Sequence, residues 1–477
     1  MNDLNIYKAI LKPSSCAADL GDGSERGEYV NQDYILQKLG RPHRAVSIMF
    51  CYYPYDKGWP ERASIAYADN KNASFWDYPY DDYFTYTGGP GKDKKGEPFN
   101  YMRDIRRHGQ DIILTLTIDP NVSDEHLICI ARELSTFGRM YLRINHEATG
   151  CWFSFNKRCT YSQVADFFVR FHRIIKEYAP NVSTVLCIDG LPDVSSQKID
   201  REEEFTEAVR CCDIWSTDKY VSLNWGWPAE IAEPGSKAFS SQNENSTYDL
   251  IKKTYERFCK INFNKSKKML ISEFNADGNV CGPYGQAECI EKFYSLILDE
   301  RPQWLSGICF YQFRDRGRLG LELQSPSNPD VGIEQPVLES YRKLINSDWF
   351  CPEIEKGPEL SLPVTLRWGG SEDAEGISFN VELLRPPVFC ELYFNDDGNY
   401  MIQFNNMWFY KAPHATFVDL MPSFRYSPFT EHCSLSVNIF APPSSGENDL
   451  LAEKGLYNTY TDISSLPRVR IYYDKIG

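Results

Sequence analysis

The chain has 477 residues, a length that holds two or three ordinary domains or one large barrel with an appendage. Hydrophobic residues make up 42% and charged residues 25%, which excludes global disorder. The formal charge of −15 argues against a nucleic-acid backbone or an anionic membrane as main partner, and no apolar run of about 18 residues offers a transmembrane helix.

The N-terminal stretch has no basic region followed by an apolar run, so no signal peptide is read there. The 15 cysteines are odd in number, scattered, and include no C-x-x-C. They read as buried thiols of a reducing compartment, and a cytoplasmic location is the expectation. Aromatics reach 14%. An acidic, aromatic-rich chain suits a neutral hydroxylated partner, because sugar rings stack on aromatic faces and their hydroxyls donate to carboxylates.

Along the chain, short apolar runs alternate with helical-period segments. The runs are Ala45–Cys51, Asp111–Thr117, Met140–Ile144, Thr184–Ile188, Ile214–Ser216, Met269–Ile271 and Gly307–Tyr311. Their unbroken apolar character marks parallel strands buried on both faces. Amphipathic segments lie between them. Ser123–Phe137 opens on a Ser cap and an acidic turn, and Ser162–Tyr178 stops before Pro180. Thr247–Cys259, Gly285–Leu298 and Pro336–Ile345 complete the series.

This α/β alternation predicts a (β/α)8 TIM barrel over residues 1–350. Its eighth strand is expected within Ala63–Tyr86, a Tyr- and Asp-rich stretch. The Pro- and Glu-rich residues 351–360 read as a linker. Beyond it the helical period vanishes, and short β-rich runs separated by turn clusters predict a C-terminal all-β sandwich domain over 361–477. There Trp368, Trp408 and Tyr410 are candidate platforms for a glycan, with buried core the stronger reading.

Chemistry on a barrel belongs at the C-terminal strand ends. The fourth strand runs into Arg143-Ile144-Asn145-His146-Glu147, and the seventh into Ile271-Ser272-Glu273. Two carboxylates on opposite sides of the barrel mouth are what retaining glycoside hydrolysis needs: one acid/base and one nucleophile. Aromatic residues near the mouth are candidate sugar platforms. They are Trp225 and Trp227 after strand six and Tyr311 at the end of strand eight, with Trp76 and Trp59 weaker candidates.

The stretch Arg143-x-x-His146-Glu147-x-x-Gly150-x-Trp152-Phe153 resembles the acid/base strand of family-26 glycoside hydrolases, best known for β-mannanases. Asp213–Tyr220 resembles that family's sixth strand, and Ile271–Phe274 its nucleophile strand. The resemblance implies that Glu147 is the acid/base, Glu273 the nucleophile, and Tyr220 the residue hydrogen-bonded to that nucleophile. Arg143, His146, Trp152 and Asp218 would bind or position the substrate and the acids. Ala148 and Thr149 depart from the Met and Asn common in the family. The implied activity is double-displacement cleavage of a β-mannan, manno-oligosaccharide or related β-glycan. The same chemistry on a β-1,3/1,4-glucan or xylan, an exo-mannosidase, and a catalytically silent carbohydrate-binding protein are the alternatives.

Other chemistry finds little support in the sequence. Gly88-Gly89-Pro90-Gly91-Lys92 lacks the spacing of a phosphate loop and reads as a surface turn. The seven His include no i, i+4 pair, so no metal or other cofactor is expected. The expected partner is an oligosaccharide or polysaccharide, with neither nucleic acid nor membrane.

Overall fold

The computed structural model describes residues 5–22, 29–61, 84–150, 153–188, 201–222, 244–315, 319–369, 373–448 and 457–474. The chain starts in the accessory domain. Strand β1 (Ile6–Lys12) belongs to its large sheet. The barrel follows, closed by eight parallel strands in sequential order. These are β2 (Ala17–Gly21), β3 (Ala45–Tyr52), β4 (Asp111–Ile118), β5 (Met140–Ile144), β6 (Val182–Cys187), β7 (Ile214–Ser222), β8 (Met269–Ala276) and β9 (Leu305–Phe310). Every residue of β4 and β8 is buried, as expected of strands lying between a packed interior and a ring of helices.

The helices form where the sequence pattern places them. Asp124–Leu134 follows Ser123. Tyr161–Tyr178 opens with a reciprocal Thr160–Gln163 capping box and buries Val164, Phe167, Phe168, Phe171 and Ile175 along one stripe. Glu244–Ile261, Pro283–Glu300 and Val337–Ile345 extend or match the remaining expectations.

One barrel strand lies elsewhere than expected. It is not within Ala63–Tyr86, of which residues 63–83 fall outside the described ones. It is β2, upstream of all the others, pairing with β3 and β9. This short segment carries Asp19 at its centre, and that residue is buried because Arg44 meets it, Nε to Oδ1 at 3.0 Å. Strand numbers four and seven are unaffected.

After β9 comes a small sheet of β10 (Arg314–Asp315), β11 (Glu322–Gln324) and β12 (Gly332–Glu334). The residues read as a linker are instead mostly a strand, β13 (Glu353–Leu360), antiparallel to β1. The remaining strands are β14 (Val364–Trp368), β15 (Ala374–Leu383), β16 (Phe389–Tyr393), β17 (Tyr400–Phe404), β18 (Met407–Lys411), β19 (Phe417–Asp419), β20 (Cys433–Phe440), β21 (Thr459–Ile463) and β22 (Arg468–Tyr472). One sheet has eight strands, with β13-β1-β15-β20-β17-β18 as its main path; the other is β19-β16-β22. Their apolar faces meet around Ile377, Phe379, Leu392, Ile402, Phe404 and Ile439, a β-sandwich.

The large sheet packs its other face on the foot of the barrel, where Ala9, Leu36, Trp368, Met401, Trp408 and Phe440 cluster. Trp368 is therefore core. Its ring lies 2.7 Å from where a Cβ on Gly109 would sit, and Gly109 has φ +72°, so this seam closes only over glycine. The Gly88–Lys92 turn is also partly interior. Gly88 and Gly89 are buried and the Gly89 N–H donates to Glu133 Oε1 at 2.9 Å, so that group is not offered to a phosphate. The fourteen described cysteines are all unbridged. No helix among the described residues is long and apolar enough to cross a membrane.

Candidate active site

The end of β5 turns sharply. Asn145 and Glu147 have φ of +57° and +44°, a region that non-glycine residues occupy at some cost. Neighbouring strands hold the turn in place: Asn145 Oδ1 accepts from the Ile118 N–H at 2.8 Å, and the Ala148 N–H donates to Cys187 O at 2.9 Å. His146 between them is buried, while the Glu147 side chain keeps 17% of its surface exposed.

Strands β7 and β8 supply the facing wall. Asp218 and Glu273 are register partners beside an irregularity in the ladder. Arg143, buried at the end of β5, joins them: Nη2 donates to Glu273 Oε1 at 2.6 Å, and Nη1 to Asp218 Oδ1 and Oδ2 at 3.1 and 3.2 Å. Its Nε donates to Thr115 Oγ1 at 2.7 Å. Tyr220 donates to the other carboxylate oxygen, Glu273 Oε2, at 2.8 Å. Ser272 Oγ donates to Asp218 Oδ1 at 2.5 Å.

His146 lies between the two glutamates, in ion-pair range of both but with no hydrogen bond at its Nδ1 among the described residues. Its Nε2 lies 3.4 Å from Glu147 Oε2 and its Nδ1 3.3 Å from Glu273 Oε1. Burial and the Arg143 charge oppose its protonation, but the carboxylates of Glu273 and Glu147 outweigh them and push the imidazole up to about 9. Around neutrality the ring is therefore a cation. Burial resists the charge on Arg143 too, yet Asp218 and Glu273 raise its pKa above the ordinary arginine value. The Cys187 thiol, driven up by burial and by Asp218, stays protonated and donates to Asp218 Oδ2 at 3.3 Å.

His146, Asp218 and Glu273 lie close enough together to be considered as metal ligands. Their chemistry does not fit that role. The Arg143 guanidinium already bonds both carboxylates, and a divalent cation would sit against it.

The structure thus brings together Arg143, His146, Glu147, Asp218, Tyr220 and Glu273. Tyr311, buried at the end of β9, meets Tyr220 edge-on with ring centroids 6.0 Å apart, so it walls the same side. Trp59 packs edge-on against Tyr52 at the end of β3, centroids 5.4 Å apart. Trp152, Trp225, Trp227 and Trp76 lie outside the described residues. Asn145, Thr115, Cys187 and Ser272 were not foreseen. Thr115 and Thr117 had a signal: two polar residues two apart in an otherwise apolar strand share one face. Ser272 directly precedes Glu273 and offered none of its own.

No protein-family model matches the sequence, and no curated protein does so. Solved structures that overlay on the chain include a family 39 glycoside hydrolase from the gut symbiont Bacteroides cellulosilyticus WH2, at 10% identity and a TM-score of 0.43, over 90% of this chain and 81% of that one. A family 51 α-L-arabinofuranosidase from Bifidobacterium longum overlays at 10% identity and 0.42, over 92% and 98%. The catalytic domain of a GH26 endo-β-1,4-mannanase from Bacillus sp. JAMB-750 does so at 13% and 0.40, over 70% and 86%.

Proposed function

We propose that the protein is a retaining β-glycoside hydrolase. The observation that carries this reading is the pair of glutamates at the ends of barrel strands four and seven, with His146 lying within 3.4 Å of both. Glu273 receives donors on both oxygens, from Arg143 and Tyr220, which favours its ionised form and aims it as a nucleophile. Glu147 keeps 17% of its side chain exposed against 8% for Glu273, as suits a group that protonates the departing oxygen and then deprotonates water.

Each step then has its residues. Glu147 gives its proton to the glycosidic oxygen while Glu273 attacks the anomeric carbon. The leaving alcohol departs, and Glu147 takes a proton from the water that releases the sugar. His146 and Arg143 keep the two acids apart and oriented. Asp218 anchors Arg143, and Tyr311 walls the reacting site. The substrate class we assign is a β-mannan, manno-oligosaccharide or related β-glycan, on the likeness of the Arg143–Phe153 stretch to family 26. Reducing-sugar release from mannan, β-glucan, xylan and aryl β-glycosides tests it. Cleavage of at least one is expected, and binding without cleavage across the panel would leave a carbohydrate-binding protein instead.

A further inference from the structure

A second site lies at the foot of the barrel, away from the glutamates. The large sheet extends past its apolar contact with the barrel, and its next transverse row is polar but uncharged. Register partners Ser378, Asn438, Gln403 and Trp408 run across β15, β20, β17 and β18. They line a groove of about 710 Å³, completed by Asn406, Ser436 and the barrel's Asn346, within the span of small-ligand sites (~300–1,000 Å³).

The chemistry of this row points to its ligand. Asn438 Nδ2 donates to Gln403 Oε1 at 2.7 Å, which orients both amides. The Asn438 Oδ1, Gln403 Nε2, Ser378 Oγ and Trp408 indole N–H are left without partners among the described residues. Asn438 and Ser378 are each 6% exposed, so these side chains are mostly buried while their free polar atoms face the groove and its solvent. The charged groups in the wall are engaged elsewhere. Arg41 donates to Phe350 O at 3.0 Å, Glu355 pairs with Lys12 at 2.7 Å, and Lys356 sits 3.5 Å over the Tyr7 ring. A peptide strand would need a free sheet edge, and a helix an apolar trough. Ser378, Asn438 and Gln403 stand on β15, β20 and β17, each paired on both sides, so the main-chain groups beneath the centre of the groove are used in the ladder. Closely spaced neutral donors and acceptors with an indole wall fit a chain of hydroxyl groups.

We infer that this groove binds a neutral oligosaccharide, independently of what happens at the barrel mouth. Trp408 is not the platform; it packs on Phe440 with centroids 6.0 Å apart and belongs to the apolar seam with the barrel.

Hydrogen–deuterium exchange on the full chain carrying Glu147→Gln tests the inference, with manno-, cello- and xylohexaose and, as anionic probe, hexagalacturonate. Slowed exchange at residues 400–411 and 433–440 with at least one neutral hexasaccharide is expected. A Gln403→Ala/Asn438→Ala variant should then lose about tenfold or more in affinity there, while cleaving an aryl β-glycoside at the unsubstituted rate when placed in the active chain. Protection confined to 143–150 and 269–277, or groove protection by the anionic probe alone, would overturn the groove while leaving the mouth reading intact. Should the double variant fail to fold, the hexasaccharide protection map of the unsubstituted groove decides.

Discussion

The barrel buries an ionic network at each end, and the two differ in kind. At the foot, Arg44 meets Asp19, while Arg106 and Arg139 share Asp111 at 2.9 and 2.7 Å. There arginines outnumber carboxylates, and the surplus cation capacity goes to main-chain carbonyls, Ser306 O for Arg44 and Gln110 O for Arg106. At the mouth the balance is reversed: Asp218, Glu273 and Glu147 face Arg143 and His146. Burying ion pairs is common to both ends and marks neither as catalytic. The mouth differs in its excess of carboxylate, in the aromatic hydroxyl on Glu273, and in a strained turn that leaves Glu147 partly exposed.

The largest expected effect separates the glutamates from every other acid in the chain. Glu147→Gln should lower kcat on unactivated glycosides about 10²–10⁴-fold, and Glu273→Gln at least as much, in chains that still fold. Wild-type rates in either variant would remove the mouth from the mechanism.

Removing one arginine from each network sharpens the contrast. Arg143→Met and Arg106→Met should each cost about 1.5–3 kcal/mol in denaturant unfolding, since each removes charged hydrogen bonds from a buried carboxylate that keeps other donors, Arg139 on Asp111 and Tyr220 on Glu273. Only Arg143→Met should also lower kcat of the folded fraction, on the order of 100-fold. Equal activity losses would show that the two networks play one structural role.

His146 gives the mouth a pH signature. Its folded-state pKa is raised to about 9 from 6.5, so its contribution is fully present below 6.5 and is lost as pH rises through 9. The unfolding free-energy gap between wild type and His146→Gln should shrink by on the order of 3 kcal/mol across that window. A gap constant with pH would contradict a cationic ring between the glutamates. The smallest effect belongs to Tyr220→Phe. Losing one hydrogen bond to a charged group, about 1.5–3 kcal/mol, should slow the chemical step roughly 10–100-fold at unchanged stability.

The mouth was more legible in the sequence than the foot, for physical reasons. Barrel strands buried on both faces write themselves as apolar runs, so seven were visible along with the carboxylates at their ends. Strand β2 was not, because Asp19 interrupts it and only a distant arginine makes that acid tolerable inside. Strand β13 was hidden by Pro358 and its glutamates, residues that suit the edge of a sheet. Its pairing with β1 joins segments more than 340 residues apart, which no local pattern announces. Tyr220 and Glu273 were named together through a resemblance, and the structure places them in hydrogen-bond contact. Arg143, expected to position the acids or the sugar, bonds Glu273 and Asp218 from a buried position.

The central claim is that Glu273 attacks carbon rather than activating water. Proton NMR of the first product formed from an aryl β-glycoside or β-linked oligosaccharide reads it directly, before mutarotation. The account predicts the β-anomer, released with retained configuration. An initial α-anomer would contradict it, because inversion assigns the second carboxylate to a water molecule.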